Sequence, residues 1–443
     1  MYEMGPALLA ATILVIGIFL LLAIGAPIAI AIGLPSLVAL TAVAGPEQAV
    51  LVGAQRMVTG SSSFTLLAIP FFILAGNLMN VGGIAEKLID AAKVLVGRLP
   101  GSLAQTNVVA NALFGSVSGA GVAAAAAIGS TMAPRERREG YDPVVSAAAN
   151  VASAPSGMLL PPSNTLIVYS LVSSTSVAAL FVAGYGPGLV WVIACLAVVT
   201  LVARRRPEMR GTRERIPVAV AARALLAALP AILMMVIVIG GLLAGIFTAT
   251  ESAVIAVVYC LVLGFAYRKL TLRRLPAILL DSARTTAVVM LLISVSSVLS
   301  WVLSFALIPQ MVSYSLLGVA GSEVVILLLM TVILLVVGTF MDPTPAILIF
   351  TPIFLPIATE LGVDPIHFGM IITFNLCLGT ITPPVGVILF VGSKVGGVRV
   401  ESVSKALLPY FAALIVGLLL VLFVPQISLA LPELLGVLSE VPE

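Results

Sequence analysis

Charge is scarce in this sequence. Lys and Arg number 22 and Asp and Glu 19 in 443 residues, 9% in all, where an average soluble domain carries roughly a quarter. So few charges cannot coat a soluble protein of this length, so a water-soluble fold is excluded and most of the surface must face lipid. Histidine occurs once, as His367, which leaves no histidine cluster for a metal or a proton relay and disfavours proton coupling. Cys195, Cys260 and Cys377 lie far apart in apolar runs. They supply neither a disulfide framework nor a zinc spacing, and read as small packing residues. A net charge of +3 is too small to argue for nucleic acid. No G-x-x-x-x-G-K-S/T loop occurs, so the chain does not itself hydrolyse ATP by that route. The first basic residue is Arg56; without a basic n-region, the first apolar run is expected to remain in the mature chain.

What is present is apolar sequence, 61% of the whole, interrupted by 38 Gly and 28 Pro. A helix needs about 20 residues to cross the hydrocarbon, and runs of that size are predicted at 6–24, 27–44, 62–79, 176–203, 218–243, 246–267, 285–307 and 405–429. Four further stretches are irregular. Residues 104–133 are predicted to enter and leave as a re-entrant helical hairpin, because their centre, Gly115 to Gly121, is mostly Gly and Ser and a poor continuous helix. Residues 142–171 are interrupted by Pro155-Ser-Gly157 and Pro161-Pro-Ser-Asn164, which predicts one broken span. Residues 323–357 and 366–393 repeat this pair of shapes. Since lipid cannot replace the donors that proline removes, such breaks must be sheltered inside protein.

Basic residues then assign the sides. Arg135, Arg137 and Arg138, the run from Arg204 to Arg215, and Arg268, Lys269, Arg273 and Arg274 mark three cytoplasmic loops. Between Arg284 and Lys394 there are 109 residues without Lys or Arg, so the polar loops there, including Glu360 to His367, are expected outside. Lys394, Arg399 and Lys405 return inside, and both termini, with the acidic tail Glu433, Glu440 and Glu443, come out extracytoplasmic. Asp281 and Arg284 suit a local ion pair before a span. Glu251, in Thr248-Ala-Thr-Glu251, suits a helix cap rather than a site.

An internal repeat organises the rest. Of the six prolines between residues 104 and 203, five have a proline 222 residues later: Pro134, Pro143, Pro161, Pro162 and Pro187 match Pro356, Pro365, Pro383, Pro384 and Pro409. Gly140 and Asp142 match Gly362 and Asp364 at the same offset, yet Pro134 to Pro143 holds three Arg and Pro356 to Pro365 none. The two copies are therefore predicted to be inverted in the membrane, each with five crossings and one re-entrant hairpin. Inverted repeats with paired broken helices are the architecture of secondary transporters, whose sites lie near the midplane where half-helices end. A channel, which also uses re-entrant backbone, is the alternative.

The tips and breaks offer oxygen ligands and bare backbone: Ser116, Ser118, Gly119, Asn150, Ser153, Ser156, Gly157, Ser163, Asn164 and Thr165 in the first half, Gly338, Thr339, Asp342, Asn375, Thr380, Thr382 and Gly386 in the second. Sodium is a hard cation that takes hydroxyl, amide and free carbonyl oxygens without a buried negative charge. One sodium site per half is expected, and opposing half-helix N-termini suit the carboxylate of an organic anion. Any one of these Ser and Thr residues can equally bond back to its own helix. Asp342 precedes Pro343 and is either a helix N-cap or a site acid.

These passages resemble one family. Phe114-Gly-Ser-Val-Ser-Gly119, Gly140-Tyr-Asp-Pro143, Pro161-Pro-Ser163 through Ile167-Val-Tyr169, Ser282-Ala-Arg-Thr285, Phe340-Met-Asp-Pro343 and Thr382-Pro-Pro-Val-Gly386 through Leu389-Phe390 resemble the large membrane subunit of the tripartite ATP-independent periplasmic (TRAP) transporters. The resemblance implies an all-α polytopic protein of the bacterial inner membrane, no enzyme, importing organic anions such as dicarboxylates, sugar acids or sialic-acid-like substrates with Na+ by an elevator movement. It also implies a small four-helix membrane subunit and a periplasmic substrate-binding protein as partners. Carried onto this chain, sodium site 1 comprises Ser116, Ser118, Gly119, Ser156, Gly157, Pro161 and Ser163, and sodium site 2 comprises Gly338, Thr339, Asp342, Thr380, Thr382 and Pro383. Ser118, Asn150, Asn164, Asp342 and Gly386 are expected to face the substrate. Ser163-Asn-Thr165 departs toward the Ser-Asn-Thr signature of divalent-anion/sodium symporters, which work without a binding protein, and Thr248-Ala-Thr-Glu251 departs from the family's Thr-Pro-Thr-Glu. The expected division is scaffold-like 1–98 and 204–307, transport-like 99–203 and 308–429, and a tail 430–443.

Overall fold

A computed structural model of the chain describes residues 4–206, 209, 217–312 and 322–438. Arg210, Arg213 and Arg215 of the basic run and Glu440 and Glu443 of the tail lie outside the described residues. The apolar runs become helices because only a helix satisfies every backbone group within one segment in lipid. In chain order these are α1 (Met4–Ala23), α2 (Ile28–Ala44), α3 (Pro46–Ser61), α4 (Ala68–Val81, extended by a 3-10 turn from Phe64), α5 (Ile84–Val96), α6 (Ser102–Ser118), α7 (Gly121–Arg138), α8 (Pro143–Ser153), α9 (Ser156–Leu159), α10 (Asn164–Ser173) and α11 (Val177–Arg205). There follow α12 (Val218–Leu243), α13 (Ala249–Ala266), α14 (Leu275–Phe305), α15 (Glu323–Phe340), α16 (Pro343–Glu360), α17 (Pro365–Gly379), α18 (Val387–Gly396), α19 (Val400–Ala406), α20 (Leu408–Phe423) and α21 (Gln426–Leu434). Among the described residues seven helices are long and apolar enough to cross a bilayer, or nine if each of two bent pairs counts as one span.

Three Asp-Pro pairs start helices by one device. Asp142, Asp342 and Asp364 accept hydrogen bonds from the backbone N–H groups of Val144, Thr344 and Ile366 at 2.9, 3.2 and 2.7 Å, while the proline at the next position has no N–H to satisfy. Glu251 and Thr248 form a full capping box at the start of α13, as its sequence predicts. The cysteines are all buried and free.

Two expectations are corrected. Asp281 and Arg284 pair at 3.8 Å within α14, not before it, because a 31-residue helix is about 46 Å long and its first turns project beyond a hydrocarbon core of roughly 30 Å. The run 405–429 is bent and not straight: α19 and α20 form a pair that meets at 54°, with Pro409 in the first turn of α20 and Pro425 between α20 and α21. Several prolines are accommodated inside helices: Pro35, Pro134, Pro187, Pro230, Pro352, Pro356 and Pro432.

Packing sorts the helices into two groups. α1 to α4 pack mainly with one another and with α12 to α14, whereas α6 to α11 pack with one another and with α15 to α21; α5, which packs on both α6 and α12, and the contact of α14 with α16 join the two groups. Polar anchors fix the second group. Gln105 of α6 donates to Thr200 at 2.8 Å and to the Leu196 carbonyl at 3.2 Å on α11. Trp191 of α11 donates to the Ala152 carbonyl at 2.9 Å and lies 4.8 Å from the Phe374 ring. Tyr169 of α10 donates to the Pro365 carbonyl at 2.6 Å. Such bonds favour one arrangement because breaking any of them strands a buried polar group.

Candidate functional site

Two hairpins and two broken spans build the site. The first hairpin, α6 and α7, turns at Gly119, whose φ of +64° is open to glycine at little cost. The second, α15 and α16, turns at Met341 and Asp342. The first broken span runs α8, α9, a break at 160–163, then α10, with a bend of 43°. The second runs α17, a break at 380–386, then α18. Both breaks carry a cis peptide bond, Pro161-Pro162 and Pro383-Pro384.

Each hairpin lies on its broken span through facing glycines. A methyl at Gly157 would meet the backbone of Gly115, and one at Gly379 would meet the backbone of Gly338. Only glycine permits so close an approach. Tip then meets break: a methyl on Gly119 would lie 3.1 Å from the Pro162 carbonyl oxygen and 3.2 Å from the Asn164 nitrogen. On the other side Gly386 donates its N–H to the Thr339 carbonyl at 3.1 Å. The broken spans also pack on each other, with Cys377 3.8 Å from the Pro155 carbonyl and Gly121 of the first tip against Ile388 of α18. Both breaks therefore adjoin one central region.

The hydroxyls divide by what they already bond. Ser116, Ser156, Thr339, Thr380 and Thr382 donate to the carbonyls of Leu113, Ser153, Val336, Cys377 and Leu378 at 2.7–2.9 Å, so each offers only lone pairs outward. A cation can use lone pairs; an anion cannot. Ser163 caps α10, accepting from Leu166 N–H at 3.3 Å and donating to the Met158 carbonyl at 2.5 Å. Ser118 and Asn164 differ: the Ser118 hydroxyl and the Asn164 side-chain oxygen are buried without a protein partner. Carbonyl oxygens of Thr380 and Thr382 converge on Gly386, 3.2 and 2.9 Å from where its methyl would be. Asp342 caps α16. Pro161 is buried, Pro383 exposed.

Asn150 stands apart from the tips. Its side chain donates to the Ala125 carbonyl at 2.9 Å and accepts from Asn111 at 3.0 Å, within a buried cluster that continues through Asn111 to Asn107 and Ser153 and from Asn107 to Glu136. Asn107, Asn111 and Glu136 are not among the residues singled out from the sequence. Their signal was the i, i+4 pair of amides inside an apolar hairpin helix.

Residues 15–427 match the family described as Tripartite ATP-independent periplasmic transporter, DctM component. The chain belongs to the TRAP transporter family. It is 51% identical over 390 residues to the uncharacterized protein YgiK of Salmonella typhimurium, covering 88% of this chain and 89% of that one. It is 40% identical to the C4-dicarboxylate TRAP transporter large permease protein DctM of Pseudomonas aeruginosa (90% and 93% covered) and 38% to the sialic acid TRAP transporter large permease protein SiaM of Vibrio cholerae (86% and 89%). The YdaH transporter of Alcanivorax borkumensis shares the fold, with a TM-score of 0.61 over 98% of each chain at 15% identity. This TRAP protein is thus a multi-pass membrane permease component and not an enzyme.

Proposed function

We propose that the chain is the large permease subunit of a sodium-coupled importer of organic anions, working with a small membrane subunit and a periplasmic binding protein. The matched tip-and-break pairs carry this reading: each half brings hydroxyl, amide and carbonyl oxygens with outward lone pairs to a helix break, the ligand set sodium prefers. Ser118 and Asn164 would complete the first site, and the Thr380 and Thr382 carbonyls with Asp342 the second. α10 and α18 begin at these breaks, and first-turn N–H groups such as those of Thr165 and Val387 would meet the substrate carboxylate. Relatives named for C4-dicarboxylate and sialic acid support an anionic cargo.

The packing of α6 to α11 with α15 to α21 as one group supports a unit that moves against α1 to α4 and α12 to α14, as an elevator requires. The extracytoplasmic termini and the inverted relation of the halves belong to the same proposal. The test is reconstitution with a candidate small subunit and periplasmic binding protein, under an inward sodium gradient. Accumulation of succinate or N-acetylneuraminate that needs both the gradient and the binding protein is expected. Uptake indifferent to sodium, or complete without any binding protein, sinks the proposal.

A further inference from the structure

Outside the tips and breaks a cleft of about 590 Å³ lies between α3 and α14 on one wall and α10 and α16 on the other. It therefore lies where the two helix groups meet. Its α14 wall is a hydroxyl stripe, Ser296, Ser297, Ser300 and Ser304, and its α3 wall holds Thr59 and Arg56. α3 reaches α14 closely, because Gly60 leaves room for the Ser297 side chain. Ser297 and Thr59 donate to their own helices at 3.0 and 2.9 Å, but the Ser296 hydroxyl, on a residue 2% exposed, has no partner. Arg56 is exposed at the cleft with its guanidinium 6.0 Å from the Trp301 ring centre. Among the described residues no carboxylate pairs with it.

The sidedness of charge makes this arginine unusual. By the distribution of basic loops, every one of the 22 Lys and Arg residues except Arg56 falls on the cytoplasmic side. α3 lies between the outward end of α2 and the start of α4, and the cleft serines occupy the outward end of α14. The single extracytoplasmic cation thus stands in a hydroxyl-lined cleft at the boundary that a moving unit would cross.

We propose that this cleft is an outer reception site in which Arg56 and the Ser296 hydroxyl hold the carboxylate of the incoming anion before it reaches the tips. The inference rests on the organic-anion reading and on the charge-based orientation. A planar guanidinium backed by an aromatic face donates two parallel hydrogen bonds to a carboxylate, and a free serine hydroxyl adds a third donor.

A single reporter cysteine at Ser300→Cys tests this in nanodiscs, since the three native cysteines are buried. Its modification rates by an anionic and a cationic methanethiosulfonate are compared with Arg56 intact, Arg56→Gln and Arg56→Lys, and repeated with Ser304→Cys. The anionic-to-cationic rate ratio is expected to fall at least about fivefold in Arg56→Gln, the scale of one unit charge several ångströms away, and to persist in Arg56→Lys. Succinate or N-acetylneuraminate should slow modification only when residue 56 is basic. An unchanged ratio, or protection by neither compound, overturns the site. Protection that follows the anionic-lipid content of the disc instead assigns Arg56 to headgroups and also overturns it. Sodium-driven uptake by the wild type is measured alongside: its failure with the Arg56-dependent protection intact refutes sodium-coupled import while the reception site stands.

Discussion

The facing glycines make a quantitative prediction. In Gly157→Ala the new methyl lies 2.7 Å from the carbonyl carbon and 3.0 Å from the carbonyl oxygen of Gly115. Restoring an ordinary carbon contact of about 3.5 Å requires α6 and α9 to part by roughly 1 Å. Overpacking of this kind costs about 1–3 kcal/mol. In Gly240→Ala, inside α12, the methyl meets nothing within 4 Å, and removing a helical glycine there contributes about 0.5–1 kcal/mol of stability. Unfolding in mixed detergent and dodecyl sulfate micelles should therefore separate the two variants by roughly 1.5–4 kcal/mol. Gly379→Ala, whose methyl would sit 2.6 Å from the Gly338 carbonyl oxygen, should behave like Gly157→Ala. Both should depress sodium-driven uptake in the protein that remains folded, because parting the helices widens the gap between tip and break. Variants at Gly157 and Gly240 of equal stability, within about 0.5 kcal/mol, would refute the claim that the glycines set the approach.

Three further outcomes are expected. Asp342→Asn keeps the cap on α16, since Asn caps about as well as Asp, so stability should hold while sodium-driven uptake falls roughly tenfold or more, about 1.4 kcal/mol; wild-type uptake would make Asp342 a cap alone. Asn111→Leu leaves the Asn150 side-chain oxygen and the Ser153 hydroxyl short of a donor and should lower stability by about 1–3 kcal/mol, measured by the same unfolding titration. Thr248→Ala removes the capping box at α13 and should cost about 1 kcal/mol with uptake by the folded fraction unchanged.

Much of this architecture was legible in the sequence for a physical reason: lipid tolerates only long apolar helices, so run length and Asp-Pro caps mark most ends. The first tip was legible too, although the Gly/Ser run turns only at Gly119 and Ala120, with Gly115 to Ser118 still in α6 and Gly121 opening α7. The shorter elements were not. α3 and α5 have polar residues throughout and give no hydropathy peak of membrane length, and α14 begins at Leu275 because the exposed Asp281 and Arg284 pair within the helix instead of ending it. At the site, the sequence supplied the residue types at the breaks but not their directions. That Asn150 turns toward Asn111 and Ala125, and that Ser118 and Asn164 keep uncommitted oxygens, depends on contacts between segments far apart in the chain.

The central claim is that ions held at the two tip-and-break sites travel with the anion. Influx of radiosodium and of labelled succinate or N-acetylneuraminate, measured in the same proteoliposomes with the binding protein present, tests it most directly. The account predicts that the two fluxes rise together, that each requires the other, and that both collapse in Gly157→Ala and Gly379→Ala. Anion influx at an undiminished rate without accompanying sodium would contradict it.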